Sequence, residues 1–276
     1  MQSTPSHGYN VFVYGTLKRG EYNHRCLSGS TYLGRRRLIG ARLHDRGSYP
    51  MALLIDRRDA VVHGELYRVN NAGLQRLDQL EGYPAFYDRT ELQLSDGTTA
   101  WVYHGIGEQV APYPVIPLGD WNTTPVLHYG SNLNPERLQQ RCPDWDGEGC
   151  VVQLEGWSWA IDKEAWRDPL YGYAGIQPCS GAVTWGVVTH HTAADLAALD
   201  KAEGVDDDYY HQQQVLVRSH CGATFEALAY VPYDHRRRSG LRTDSSYRRH
   251  ILSGLNHWDL PVAWRTAVAE SLSTTT

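Results

Sequence analysis

The 276-residue sequence predicts an α+β fold built twice, each copy a small curled sheet or barrel with one embedded helix. Three observations carry that expectation. Motifs recur at a fixed separation, a proline-rich stretch falls between the copies, and each copy offers short β-rich runs around one helical segment. Repeats are read first, because a missed repeat misassigns the whole fold.

In chain order, VFVYGTL (11–17) opens the first copy as an apolar run that ends in Tyr-Gly and a small hydroxyl residue. The run VVHGELYRV (61–69) reads as a strand. Leu74, Leu77 and Leu80 then give helical spacing over 71–81, with Asn70 and Asn71 as N-cap candidates and Gly82 placed for a left-handed C-cap. Phe86-Tyr87 and the extended RTELQL (89–94) follow. The stretch 107–125 holds four prolines without sustained periodicity and reads as a linker or domain-edge loop. VLHYGSNL (126–133) opens the second copy, and AVTWGVVTH (182–190) reads as a strand. Thr192 to Asp195 resembles a capping box with Asp for Glu, and the helix over 192–203 ends at Gly204. Tyr209-Tyr210, QQQVLV (212–217) and a further helix over 245–255 complete it. Leu74, Leu77, Asp78, Glu81 and Gly82 match Leu196, Leu199, Asp200, Glu203 and Gly204, each pair 122 positions apart. Two domains are expected, 1–118 and 119–276, the second longer by a C-terminal segment.

Composition narrows the function. A hydrophobic content of 41% with 21% charged residues describes a globular chain, and a net charge of −5 argues against nucleic-acid binding. The only basic clusters, Arg35–Arg37 and Arg236–Arg238, read as solvated surface. No apolar run is long enough to span a membrane, and the polar start lacks signal architecture. Cysteines at 26, 142, 150, 179 and 221 form neither a disulfide framework nor a zinc pattern. A cytoplasmic protein without metal or cofactor is therefore expected, with no nucleic-acid or membrane partner.

Two features carry chemistry. A strand running into Tyr-Gly-Ser/Thr is either a tight turn in which Gly supplies a positive φ, or a nest of backbone N–H groups for a carboxylate or oxyanion. Glu81 and Glu203 close their helices at the end where the dipole disfavours a negative charge, which pushes a carboxyl pKa upward. Each is either a solvated acid at a helix stop or a general acid–base. Recurrence beside a Gly loop favours the second. No Gly-x-Ser-x-Gly elbow is present, so a carboxylate base points to a substrate that carries its own nucleophile.

The run Tyr129 to Leu133 (YGSNL), Asp162-Lys163, Val183 to Val187, Leu199 to Gly204 (LDKAEG), Tyr210, and Ser245 to Tyr247 resemble the γ-glutamyl cyclotransferases. The first half is similar to the related γ-glutamylamine cyclotransferases and AIG2-like proteins, through Tyr14 to Gly20, Tyr49-Pro50, Gly64 to Tyr67, Leu77 to Gly82 (LDQLEG), and Tyr87 to Arg89. The resemblance implies two copies of a small mixed β-barrel with flanking helices. It also implies one reaction, of carbon–nitrogen lyase or acyltransferase type. The α-amino group of a γ-glutamyl compound attacks its own γ-carbonyl, giving 5-oxoproline and a free amine or amino acid.

Glu203 and Glu81 are then the expected acid–bases. Tyr14, Gly15, Thr16, Leu17 and Tyr87 would bind substrate in the first domain, and Tyr129, Gly130, Ser131, Asn132, Leu133, Tyr210 and Tyr247 in the second, with the N–H groups of Gly130 to Leu133 holding the carboxylate or oxyanion. The fuller motif set makes the second domain the expected main catalyst. Thr243-Asp244 and Trp264 depart from the family pattern in what is read as the leaving-group region. Two alternatives stand beside this: one active domain with the other structural, or a non-catalytic module that binds γ-glutamyl or amino-acid groups. Glutathione, a γ-glutamyl dipeptide, γ-glutamyl-lysine and a γ-glutamyl-protected intermediate all remain open as substrate.

Overall fold

Residues 8–274, except Asp144, Arg167 and Cys221, are described by a computed structural model. The polar start before residue 8 and Cys221 lie outside the described residues. Two compact units emerge, Met1–Asn122 and Thr123–Thr276.

The first unit contains β1 (Tyr9–Val13), β2 (Thr31–Ile39), β3 (Ala41–Asp45), β4 (Pro50–Leu54), β5 (Val61–Val69), α1 (Asn71–Glu81), β6 (Asp88–Gln93), β7 (Thr99–His104) and the short α2 (Gly107–Val110). Its main sheet runs β2-β5-β1-β7-β6, with β1 antiparallel to β5 and parallel to β7, and β3 and β4 form a separate hairpin. Strand alternation splits the core in two. Val11, Val13, Tyr67 and Val69 face Leu74 and Leu77 of α1. Phe12, Leu38, Leu66 and Val102 fill the other side.

The second unit repeats the order with β8 (Thr124–His128), α3 (Pro135–Arg141), β9 (Cys150–Glu164), β10 (Gly172–His191), α4 (Ala193–Glu203), β11 (Tyr210–Ser219), β12 (Thr224–Pro232), α5 (Ser245–His257) and α6 (Val262–Thr274). Here the ring β10-β8-β12-β11-β9 closes, through the pairs Arg218↔Gln153 and Ser219↔Val152. In the first unit the equivalent strand β6 has 6 residues against 10 in β11. It turns away at Asp96, and a single bond from Ser95 N to Arg37 O, 2.9 Å, stands where the second unit has a ladder.

Both helices form where they are predicted, α1 from its leucine spacing and α4 from its capping box. Asn70 accepts from Gly73 N at the start of α1, and Thr192 with Asp195 builds a reciprocal capping box on α4. At the other end Gly82 and Gly204 take φ of 63° and 67°. Tyr83 N bonds Asp78 O and Val205 N bonds Asp200 O, both at 3.0 Å, so each helix stops in a Schellman motif with its Glu as the last residue.

One expectation narrows and one changes. Of the two readings for 107–125, a linker or a domain-edge loop, the segment takes the second and is not a free linker. Ile116 N bonds Leu43 O, His44 bonds Tyr113 O, and Asp120, 3% exposed, pairs with Lys18 at 2.8 Å and Arg35 at 2.6 Å. The compact unit therefore extends four residues past 118. The basic clusters are not simply solvated either, since Arg36 pairs with Asp96, Arg237 with Asp162, and both Arg236 and Arg238 with Glu164. Cys26, Cys142, Cys150 and Cys179 are unbridged. Among the described residues no helix is long and apolar enough to cross a membrane.

Candidate functional site

In each unit, one strand end, one helix end and two tyrosines from neighbouring strands meet. Tyr14, just past β1, donates its OH to Tyr103 O at 2.6 Å and accepts from Ala52 N at 3.2 Å. Tyr87 donates to Pro50 O at 3.1 Å. In the second unit Tyr129 donates to Tyr230 O, and Tyr210 to Ala174 O at 2.9 Å. A further pair anchors the Glu-bearing helices. Tyr103 donates to Asp78 and Tyr230 to Asp200, each at 2.7 Å, while Arg89 and Gln212 bind the same carboxylates at 2.5 and 2.6 Å. The Asp of each LDxxEG run thus ties its helix to the sheet one turn before the Glu.

The loop after each first strand uses glycine for space, not for a positive φ. A Cβ on Gly15 would lie 2.8 Å from Pro50 Cγ, and one on Gly130 would lie 3.2 Å from Ala174 Cβ and 3.3 Å from Tyr247 Oη. Lys18 N closes its turn on Gly15 O at 2.9 Å, and Leu133 N closes on Gly130 O at 3.0 Å. That geometry leaves the N–H groups of Thr16 and Leu17, and of Ser131 and Asn132, without a bond inside the turn. The Leu133 N–H is spent, and its side chain, 1% exposed, is core. It is therefore not a cavity residue, contrary to the sequence expectation.

The two cavities differ. The first measures about 160 Å³ and is lined by Tyr14, Gly15, Thr16, Leu17, Glu81 and Tyr87, together with Tyr22, Asn23, Tyr49, Pro50, Phe86 and Tyr103. The second measures about 40 Å³ and gathers Tyr129, Gly130, Ser131, Asn132, Glu203, Tyr210 and Tyr247, with His128, Ala174 and Tyr230.

The glutamates differ more. Glu81 makes no hydrogen bond or ion pair with any described residue, and burial pushes its carboxyl up to about 7. Burial in the cavity adds to the helix-end placement that the sequence marks. Glu203 Oε1 instead accepts from Arg141 Nη1 at 2.7 Å and from Asn132 Nδ2 at 2.9 Å, and Arg141 also donates to Asn132 Oδ1 at 2.7 Å. Beside them lies Lys163, 3% exposed, with its Nζ 4.0 Å from the Tyr209 ring centroid and burial lowering its pKa to about 8.

Tyr247 bonds Ala174 N at 2.8 Å, so it is both a cavity wall and a backbone anchor. Asp206 to Asp208 is an exposed turn outside the cavity. Thr243, Asp244 and Trp264 do not line it either. Asp244 caps α5 by accepting from Tyr247 N, and Trp264 packs edge-on against Trp159.

Sequence reasoning missed Tyr103, Tyr230, Tyr49 as a wall, and Arg141. The first two had a signal, since AWVY (100–103) and ALAY (227–230) recur 127 positions apart. Arg141 had none, because a basic residue in a helix's last turn has an ordinary role in offsetting the dipole.

Comparison with known proteins agrees with this duplicated arrangement. The family described as "Gamma-glutamyl cyclotransferase, AIG2-like" matches residues 11–123, and the "AIG2-like family" matches residues 183–266. A putative gamma-glutamylcyclotransferase of Vibrio cholerae is 40% identical over 112 residues, which is 40% of this chain and 93% of that protein. The gamma-L-glutamyl-butirosin B gamma-glutamyl cyclotransferase of Niallia circulans is 39% identical over 103 residues, 34% of this chain and 65% of its own length. Gamma-glutamylaminecyclotransferase A of Danio rerio is 34% identical over 108 residues, 34% of this chain and 67% of its own. The crystal structure of YkqA from Bacillus subtilis, 21% identical, aligns over 97% of this chain and 98% of that one with a TM-score of 0.50, which shows a shared fold.

Proposed function

Because the chain belongs to the AIG2-like γ-glutamyl cyclotransferase family, carried as a tandem, we propose that it converts a γ-glutamyl compound to 5-oxoproline and a free amine, with the first unit as the principal site. The observation that carries this reading is Glu81, which has no hydrogen-bond or ion-pair partner among the described residues and whose carboxyl is raised to about 7 by burial, in a cavity of about 160 Å³ beside the Gly15–Leu17 turn.

The substrate's α-amine has an ordinary pKa of about 8 and arrives mostly protonated. Glu81 takes one proton from it, and the freed lone pair attacks the γ-carbonyl carbon of the same molecule. Folding the glutamyl chain inside the cavity makes this attack a proximity-driven ring closure. The carbonyl oxygen becomes an oxyanion, met by the Thr16 and Leu17 N–H groups. As the tetrahedral centre collapses, protonated Glu81 gives that proton to the leaving nitrogen and the carbon–nitrogen bond breaks. The second proton, on the new ring nitrogen, then passes through Glu81 to the released amine, leaving a neutral lactam, an ammonium and an ionised Glu81. A carboxyl near neutrality suits these transfers. Tyr14, Tyr87 and Tyr103 hold the walls through their backbone and Asp78 bonds.

The second unit carries the same parts in another state. Glu203 is already held through Oε1 by Arg141 and Asn132, beside a smaller cavity of about 40 Å³. This favours one principal active unit over two equal ones, and reverses the ranking that motif content suggests. The test is 5-oxoproline release by single and double Gln variants. Glu81→Gln is expected to lower turnover by about 10²–10⁴-fold. Glu203→Gln is expected to change it less than about two-fold. Undiminished release by the double variant would sink the mechanism, and a dominant loss in Glu203→Gln would reassign the site to the second unit.

A further inference from the structure

Arg46 sits in the turn between β3 and β4, behind two of the rings that edge the first cavity. Its guanidinium carbon lies 5.5 Å from the Tyr49 centroid, 5.6 Å from Phe86 and 4.5 Å from Tyr113. Tyr49 and Phe86 both line the cavity and meet edge to face at 6.3 Å. Phe86 is 41% exposed, so this wall is the open side. The Arg46 charge also reaches the neighbouring Tyr87 phenol, whose ionised form it favours against a dominant burial effect.

Arg46 differs from the other stacked arginines of this unit. Arg19 lies over Tyr32 and is neutralised by Glu65, and Arg89 lies over Tyr83 and Trp101 and is neutralised by Asp78. Arg46 contacts only the Tyr113 hydroxyl at 3.1 Å and the Met51 sulfur at 3.8 Å, and pairs with no carboxylate among the described residues. Its neighbour Asp45 is turned to Gly47 N at 2.7 Å. Three aromatic faces fix the guanidinium and leave its charge uncompensated, a form suited to a carboxylate.

Glu81 is thus the one acid among the cavity's lining residues, and Arg46 lies outside that lining, behind Tyr49 and Phe86, paired with no carboxylate among the described residues. Resting on the reading that Glu81 takes the α-ammonium proton, we propose that Arg46 selects γ-glutamyl compounds whose leaving amine bears a carboxylate, as in an amino acid or peptide. The glutamyl α-amine sits at Glu81, its γ-carbonyl oxygen at the Gly15–Leu17 turn, and the leaving group points outward past Tyr49 and Phe86 to Arg46.

The experiment compares γ-glutamyl-alanine with γ-glutamyl-ethylamide, which lacks the carboxylate, on the full chain, its Arg46→Gln and Arg46→Lys variants, and Glu81→Gln. The wild type is expected to favour γ-glutamyl-alanine. Arg46→Gln is expected to cut kcat/KM for it about ten-fold or more, chiefly through KM, and to change the ethylamide less than about two-fold, with Arg46→Lys in between. The retained ethylamide turnover doubles as the folding control. Equal losses on both substrates, or a wild-type preference for the ethylamide, would overturn the inference alone. Full turnover by Glu81→Gln, or no wild-type turnover of either compound, would overturn the reading beneath it as well.

Discussion

Glu81 and Glu203 occupy the same place in the fold and have different surroundings, and the difference belongs to single side chains. Glu203 meets Arg141 and Asn132, whereas no described residue hydrogen-bonds or ion-pairs with Glu81. A pH dependence follows. The kcat/KM for 5-oxoproline release is expected to rise with pH through about 7 as Glu81 ionises, a limb that Glu81→Gln removes. Stability moves the other way. The folded-state pKa of Glu81 is raised above its ordinary 4.5, so the folded state binds its proton more tightly. Stability is then full below about 4.5 and declines as pH rises through about 7. Glu81→Gln is therefore expected to melt above wild type at pH 8, by roughly a few degrees, and level with it near pH 4.5. Thermal melts at the two pH values check the sign.

At the scale of elements, the helix end and the sheet act as one device. The Schellman stop ends α1 at Glu81, and the Asp78 bonds from Tyr103 and Arg89 hold that last turn against β7 and β6. Removing the Tyr103 hydroxyl with Phe leaves its backbone bond from Tyr14 in place. Tyr103→Phe is expected to cost about 1–2 kcal/mol, measured by denaturant unfolding, and to lower kcat more than it raises KM. Elements were the most legible level of the chain. Leucine spacing, Asn70, Thr192 and the two glycines locate α1 and α4 because these are local backbone demands. The glycine of the YG[ST] turn was legible as a position but not as a cause. Its need is set by Pro50 and Ala174, on strands remote in sequence.

For the whole molecule, the repeat organises everything and then diverges. Strand order is the same in both units, but a longer β11 closes the second ring, and α3, α5 and α6 are added there. The first unit carries its own tail. Asp120, held between Lys18 and Arg35, lies in a stretch that reads as linker. A fragment spanning 1–122 is expected to fold and release 5-oxoproline, whereas one ending at 118 removes the Asp120 carboxylate from Lys18 and Arg35, both part-buried. The shorter fragment should lose about 3–5 kcal/mol, a difference that urea titration of the two would show.

The sequence by itself determined the duplication, the α+β elements, the helix stops and the family, because repeat spacing, hydrophobic period and capping chemistry are written in neighbouring residues. It also marked both glutamates. Only the tertiary structure decided how unequal they are. Arg141 reaches Glu203 across 62 positions of sequence, and the burial of Glu81 without a partner among the described residues is a property of packed surroundings. An acid's environment is made by residues brought together in space, so the fuller motif set lies in the unit whose carboxylate is already held.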